Sequence, residues 1–172
     1  MTNHPIRFAA LTCALVLWAV PRFASAEAAA IRLAIFDFEL EDRSAGASVT
    51  EGSAEDEEQL GRVTAKVREL IAQSGRYDLV DVASADAAAV RTHTLRQCNG
   101  CDAAIGLKLG AEQSLVGIVS RISRTEYQVA VSIRDTRTGA VIAAAQTGLR
   151  IGADYSWDRG AARLIQDRIL DN

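Results

Sequence analysis

The residues of this chain best suited to chemistry are two cysteines, Cys98 and Cys101, which are separated by two residues. A Cys-x-x-Cys pair can form a structural disulfide, exchange disulfides as a redox centre, or supply thiolates to a metal ion. His93 is the nearest further soft ligand, but one histidine and two cysteines fall short of a typical structural zinc site. Asp102 stands where a Cys-x-x-Cys-His motif needs histidine, which argues against covalent haem.

The N-terminus predicts export from the cytoplasm. Arg7 precedes an apolar run over residues 8–20, and a small-residue exit ends at Ala26. This three-part pattern is typical of a cleavable signal peptide, and the run is too short to span a bilayer comfortably. We therefore predict cleavage after Ala26, a single globular domain over residues 27–172, a periplasmic location, and no transmembrane segment after cleavage.

Removal of residues 1–26 favours a disulfide between Cys98 and Cys101. It takes away Cys13, so that the remaining cysteine count is even, as is usual for a disulfide in an exported domain. A redox centre remains an alternative because a helix N-terminus lowers a thiol pKa. However, both prolines are also removed, and the thioredoxin fold relies on a cis-proline.

Composition argues against some partners and reactions. Loss of Arg7 and Arg22 moves the formal net charge from −3 to −5, so nucleic acid is not expected as a partner. The chain shows no serine-histidine-acid arrangement and no glycine loop that would bind phosphate. We therefore predict a non-enzymatic protein without a cofactor.

A second group of candidate ligands is acidic. The carboxylates concerned are Asp37, Glu39, Glu41, Asp42, Glu51 and Glu55 to Glu58. They could offer oxygen ligands to a hard cation such as calcium, with Asp37 as the first candidate, but the spacing lacks the glycine and final glutamate of an EF-hand. The favoured interpretation is a flexible acidic loop over residues 39–54 followed by a helix N-terminus.

Hydrophobic periodicity predicts the elements that position these residues. The predicted strands cover residues 31–38, 77–82, 114–123, 126–135 and 141–149. Four helices are predicted. The first begins at a capping box at Ser53 and ends at Gly75, the second is a short helix after Ser84, and the third runs from near Cys101 to Gly110. The last is a closing helix with an apolar stripe of Trp157, Ala161, Leu164, Ile165 and Ile169. The order β-α-β-α-α-β-β-β-α predicts an α+β fold, a mixed α/β sandwich with helices packed on a sheet of about five strands.

Several turn motifs resemble the layout of TolB N-terminal and CsgG-like domains. The motifs are Asp37-Phe38-Glu39, Ser74-Gly75-Arg76-Tyr77, Leu109-Gly110-Ala111-Glu112, Arg134-Asp135 and Thr138-Gly139. This resemblance implies the fold and carries no catalytic signature. The chain lacks the additional amphipathic strands of a membrane barrel, so the secretion-channel function of CsgG-like proteins is not expected.

A closer resemblance is to an uncharacterised family of secreted bacterial proteins, of the domain-of-unknown-function 2380/3280 type. The shared features are the Cys-x-x-Cys pair, the Gly-Ala corner, the Arg-Asp hairpin and Ser-Trp-x-Arg-Gly at residues 156–160. The resemblance implies a context near periplasmic quinoprotein alcohol dehydrogenases. We predict a binding or accessory module that docks onto a protein partner in such a system or elsewhere in the envelope. The alternative is a small thiol-disulfide or metal-handling protein that uses Cys98 and Cys101.

Overall fold

Six strands and three α-helices are present in the computed structural model of the protein, which describes residues 29–45, 53–85, 90, 94–150 and 157–171. The strands are β1 (Ile31–Ile35), β2 (Glu39–Asp42), β3 (Tyr77–Val80), β4 (Gln113–Arg121), β5 (Glu126–Asp135) and β6 (Val141–Arg150). The helices are α1 (Ala54–Gln73), α2 (Cys101–Lys108) and α3 (Trp157–Ile165), with a 3₁₀ turn at Val82–Ser84 and a π turn at Gln166–Leu170. The predicted signal peptide, His93 and most of the helix predicted after Ser84 lie outside the described residues.

The strands form one mixed sheet in the order β3-β1-β4-β5-β6. β1 pairs in parallel with β3 and β4, and β4, β5 and β6 form an antiparallel meander. β2 follows β1 along the same side of β4, where Leu40 lies opposite Val119. The architecture confirms the predicted α+β class, with one strand more than predicted.

The additional strand corrects the start of the flexible acidic loop predicted over residues 39–54, of which residues 46–52 lie outside the described part of the chain. Glu39–Asp42 form β2 instead, and Ser53 is already the N-cap of α1. An acidic segment can form a strand here because Leu40 packs against the core while donors on β4 meet two carboxylates: Ser120 Oγ donates to Glu41, and Arg121 donates to Asp42.

Helix α1 begins and ends as the sequence predicts. The Asp56 amide donates to Ser53 Oγ at 3.1 Å and the Ser53 amide donates to Asp56 Oδ2 at 3.0 Å, which closes the capping box. Gly75 ends the helical segment with φ +67°, a conformation that glycine adopts without strain. The buried side chains of the helix are Val63, Thr64, Val67 and Ile71.

The described elements cover the two faces of the sheet unequally. On the principal face, α1 and α3 pack over a large core that includes the alternating β5 side chains Tyr127, Val129, Val131 and Ile133. Trp157 anchors α3 in this core with its ring centroid 5.3 Å from that of Tyr127, as its helical spacing predicts. On the second face, α2 covers a smaller core of Ala34, Phe36, Leu95, Ala111 and Val116. Within the described ranges, no helix is long and apolar enough to cross a membrane.

Candidate functional site

The Cys98–Cys101 turn lies at the start of α2. The two cysteines are joined by a disulfide with their Cα atoms 5.6 Å apart, and the Cys101 amide donates to Cys98 Sγ at 3.2 Å. Gly100, the N-cap residue, has φ +103° and allows the chain to reverse inside this short loop. The turn is therefore closed covalently at the first residue of the helix, and in this oxidised form it offers no thiolate.

Hydrogen bonds also fasten this turn to the sheet. Asp102 is 2% exposed and accepts a hydrogen bond from Ser114 Oγ at 2.7 Å on β4. Arg134 on β5 lies with Nε 3.6 Å from Asp102 Oδ1 and donates from Nη2 to Asn99 Oδ1 at 3.1 Å. Sequence reasoning used Asp102 only to argue against haem and missed this role, although an acidic residue in the first turn of a helix was a signal for it.

Several of the acidic residues first considered as cation ligands form hydrogen bonds or ion pairs within the protein. Asp37 is exposed and accepts a hydrogen bond at 3.1 Å from Arg68, which also donates to the Ile35 carbonyl. Glu39 accepts from the Leu95 amide at 2.6 Å and from Arg96 Nη1 at 3.1 Å. Over the described ranges, no three His, Cys, Asp or Glu side chains are grouped so that they could hold a metal ion.

A further polar assembly is the Arg121 cluster, which consists of Arg121, Asp42, Asp56 and Tyr127. Arg121 donates to Asp42 at 2.9 Å, to Asp56 at 2.6 Å and to the Tyr127 hydroxyl at 3.1 Å. Side-chain exposures are only 16% for Arg121, 12% for Asp42 and 13% for Asp56. The cluster thus ties β2, the N-terminus of α1, β4 and β5 together.

The charges of this cluster stabilise one another. Hydrogen bonds from Ser44 and then Arg121 lower the pKa of the Asp42 carboxyl, although burial works in the opposite direction. Burial raises the pKa of Asp56, but hydrogen bonds from Arg121 and Ser53 outweigh it, so the net pKa is below its ordinary value. Burial likewise opposes the charge of Arg121, yet its hydrogen-bond partners raise its pKa overall. All three groups are therefore held in their ionised forms.

Together these observations define an α+β domain whose cysteines and carboxylates brace the fold. The chain belongs to the family described as "Protein of unknown function (DUF2380)", DUF3280, which matches residues 31–169. The predicted family resemblance is thereby confirmed. No curated protein sequence matches the chain.

Several solved structures are similar to this chain at low sequence identity. The hypothetical protein CT253 from Chlamydia trachomatis has a TM-score of 0.51 at 14% identity, covering 80% of this chain and 92% of that chain. The LpoB C-terminal domain from Salmonella enterica has a TM-score of 0.48 at 17% identity, covering 70% and 83%. TolB from Acinetobacter baumannii has a TM-score of 0.44 at 14% identity, covering 76% and 25%. The similarity to CT253 shows a common fold.

Proposed function

We propose that this protein is a non-enzymatic periplasmic accessory module that docks onto a larger envelope or quinoprotein dehydrogenase system. The observation that carries the proposal is the open half of the second sheet face, over β5 and β6. Among the described elements, α2 packs against β4, and Ile142 on β6 is 50% exposed. A groove of about 410 Å³ follows this surface, lined by side chains that include Ile118, Ala130, Ser132 and Ala144. Exposed apolar surface of this kind is typical of a protein contact.

The polar residues of the described part support binding over catalysis. Asp102, Glu39 and Arg121 are three groups whose types and burial would suit chemistry, and each is held in hydrogen bonds that connect separate elements of the fold. A group that braces the fold in this way is not presented to a substrate. Because one fold class serves many activities, the fold alone does not indicate the function of this protein. The exposed surfaces of the protein are therefore the features from which we infer its function.

A matched pair of substitutions tests the docking proposal. Ile142→Lys places a charge near the start of β6, two residues before Ala144 in the lining of the groove, whereas Leu107→Lys places one on α2 at an equivalent exposure, 49% against 50%. Tagged full-length variants would be expressed in the native periplasm, and complexes would be isolated by size-exclusion chromatography and quantified by mass spectrometry. We expect Ile142→Lys to lose a stoichiometric partner that Leu107→Lys retains. Self-association alone, or equal retention by both variants, would contradict the proposal.

The second candidate function is thiol-disulfide exchange or metal handling through Cys98 and Cys101. The observation in its favour is the position of the pair at the N-terminus of α2, where the Cys101 amide would stabilise a Cys98 thiolate after reduction.

The reduction potential of the Cys98–Cys101 pair separates the two functions. For the proposed accessory module we expect a potential below about −300 mV, as for structural disulfides in secreted proteins. Equilibration with glutathione buffers followed by thiol alkylation measures this value, and elemental analysis measures bound metal. A potential of roughly −120 to −200 mV, or stoichiometric zinc or copper, would favour the second candidate instead.

A further inference from the structure

The parallel strands β1 and β3 separate at their carboxyl ends. The last pair of their ladder is Ala34 with Val80, and β3 ends at that residue. Just beyond this pair, Arg68 on α1 donates from Nη2 to the Ile35 carbonyl at 2.7 Å. A guanidinium group therefore lies where the two chain segments diverge. In open sheets with parallel strands, ligands bind in crevices outside the carboxyl ends of the strands.

Two grooves meet at this guanidinium group. The first has a volume of about 380 Å³ and includes Phe36 and Asp37 in its lining. The second has a volume of about 270 Å³ and includes Leu79 and Asp81. Three further residues line both grooves: Arg68, Val82 and Ala83. Together the two grooves form the Arg68 cleft, whose size suits a small molecule, since ligand pockets typically have volumes of roughly 300–1,000 Å³.

Arg68 can bind an anionic group in this cleft. Its contacts to the Ile35 carbonyl and to Asp37 Oδ1, the latter at 3.1 Å, both use Nη2. An arginine side chain has further N–H donors on Nη1 and Nε. The side chain is 36% exposed and lines both grooves. A carboxylate that enters the cleft can therefore accept a charge-assisted hydrogen bond from Arg68.

Two carboxylates accompany this cation. Asp37 is 83% exposed, and exposed ion pairs contribute little, so its carboxylate can turn toward an incoming cation at small cost. Asp81 accepts a hydrogen bond from the Ala83 amide at 2.9 Å through Oδ1, which fixes this carboxylate in the lining of the second groove. A carboxylate can accept several hydrogen bonds at once. The cleft therefore presents one cation and two anions to a ligand.

This set of charges favours a ligand that carries both signs. A simple anion would be attracted by Arg68 but repelled by Asp37 and Asp81, and a simple cation would be repelled by the guanidinium group. The cleft also has apolar walls, to which Phe36 and Val82 contribute. A zwitterionic α-amino acid with an apolar side chain matches the cation, the anions and the walls together.

We propose that the Arg68 cleft binds an apolar α-amino acid as its zwitterion. Arg68 binds the carboxylate of the ligand, Asp37 and Asp81 attract its ammonium group, and its side chain lies against Phe36 and Val82. The cleft lies at the β3 edge of the sheet, whereas the surface assigned to docking lies over β5 and β6. The inference therefore goes beyond the proposed accessory function and does not depend on it.

The test compares four probes by isothermal titration calorimetry on the full-length protein. The probes are L-leucine, isocaproate without the ammonium group, isoamylamine without the carboxylate, and glycine without the apolar side chain. We expect leucine to bind at least about tenfold more tightly than each of the other three. NMR spectra should show shifts of the Asp81 and Ala83 amides on addition of leucine and no shifts in β6.

Substitutions in the cleft test which charge recognises which group. Arg68→Met should abolish the preference for leucine over isoamylamine, because the carboxylate loses its partner. Asp37→Asn combined with Asp81→Asn should abolish the preference for leucine over isocaproate. The matched controls are Arg62→Met on α1 and Asp78→Asn on β3, which change exposed residues outside the linings of both grooves and should leave both preferences intact.

Three results would overturn the amino-acid proposal. These are no binding of leucine at millimolar concentrations, binding of isocaproate or isoamylamine as tight as that of leucine, and leucine binding that Arg68→Met leaves unchanged. The first two are measured on the wild type, so they decide the question even if Arg68→Met does not fold. Ile142→Lys should bind leucine like the wild type, which separates this site from the docking surface.

Discussion

Arg121→Met is expected to lower the free energy of unfolding by about 3 kcal/mol, because it removes the cation between two largely buried carboxylates. Asp42 and Asp56 would then keep their desolvation cost without the compensating charge. This loss of stability lies near the lower end of the range for breaking a buried ion pair, because the three side chains retain 12–16% exposure. Urea unfolding followed by circular dichroism measures the loss.

The loss on removing Arg121 should depend on pH in a defined direction. The pKa of Asp42 and Asp56 is lower in the folded chain than in the unfolded chain. Their stabilising contribution is therefore complete above the ordinary carboxyl pKa and is lost as the pH falls through the depressed folded pKa. We expect the stability difference between wild type and Arg121→Met to narrow over that acidic range.

The matched control for Arg121→Met is Arg62→Met on the exposed surface of α1. Arg62 pairs with Glu58, and their side chains are 48% and 71% exposed. Its removal should change stability by less than about 1 kcal/mol, as for exposed ion pairs in general. Two results would contradict the stabilising role of the Arg121 cluster. The first is an equal loss of unfolding free energy in Arg121→Met and Arg62→Met. The second is a loss on Arg121→Met that stays the same when Asp42→Asn and Asp56→Asn are present in the same chain.

Sequence periodicity predicted those helices and strands whose buried side chains can be identified from residue spacing within a single segment. The heptad-like stripe of α1, the alternation of β5 and the apolar stripe beginning at Trp157 each follow from spacing within one segment. β2 was missed because its strand character depends on a distant partner. Asp42 and Arg121 are 79 residues apart, and nothing near Glu39–Asp42 in the sequence indicates that β4 will lie beside it.

The same distinction applies to the candidate sites. The short spacing between Cys98 and Cys101 is visible in the sequence, and so is their position at the start of a helix. The burial of Asp102 depends on Ser114 and Arg134, which β4 and β5 bring together only in the folded sheet. That β6 is an edge strand also depends on topology, because strand order in space is not the order in the chain.

Gly117→Ala is expected to destabilise the protein by about 1–3 kcal/mol through overpacking. A Cβ atom at position 117 would lie 2.2 Å from ring carbons of Phe38, which is itself only 3% exposed. The Phe38 backbone is held because its amide donates to Thr64 Oγ1 at 3.0 Å and Thr64 lies in α1, so the buried ring itself would have to be displaced. Thermal and urea unfolding measure the loss.

Gly148 provides the control for Gly117, because it is also a strand glycine and a Cβ there would meet nothing within 4 Å. Gly148→Ala should be neutral or slightly stabilising, since alanine lowers the entropy of the unfolded chain. Phe38→Leu should relieve the clash, so the double variant Gly117→Ala/Phe38→Leu is expected to lose less stability than the sum of the two single variants. Strict additivity, or equal effects at the two glycines, would show that Gly117 is not required for close packing of Phe38 against β4.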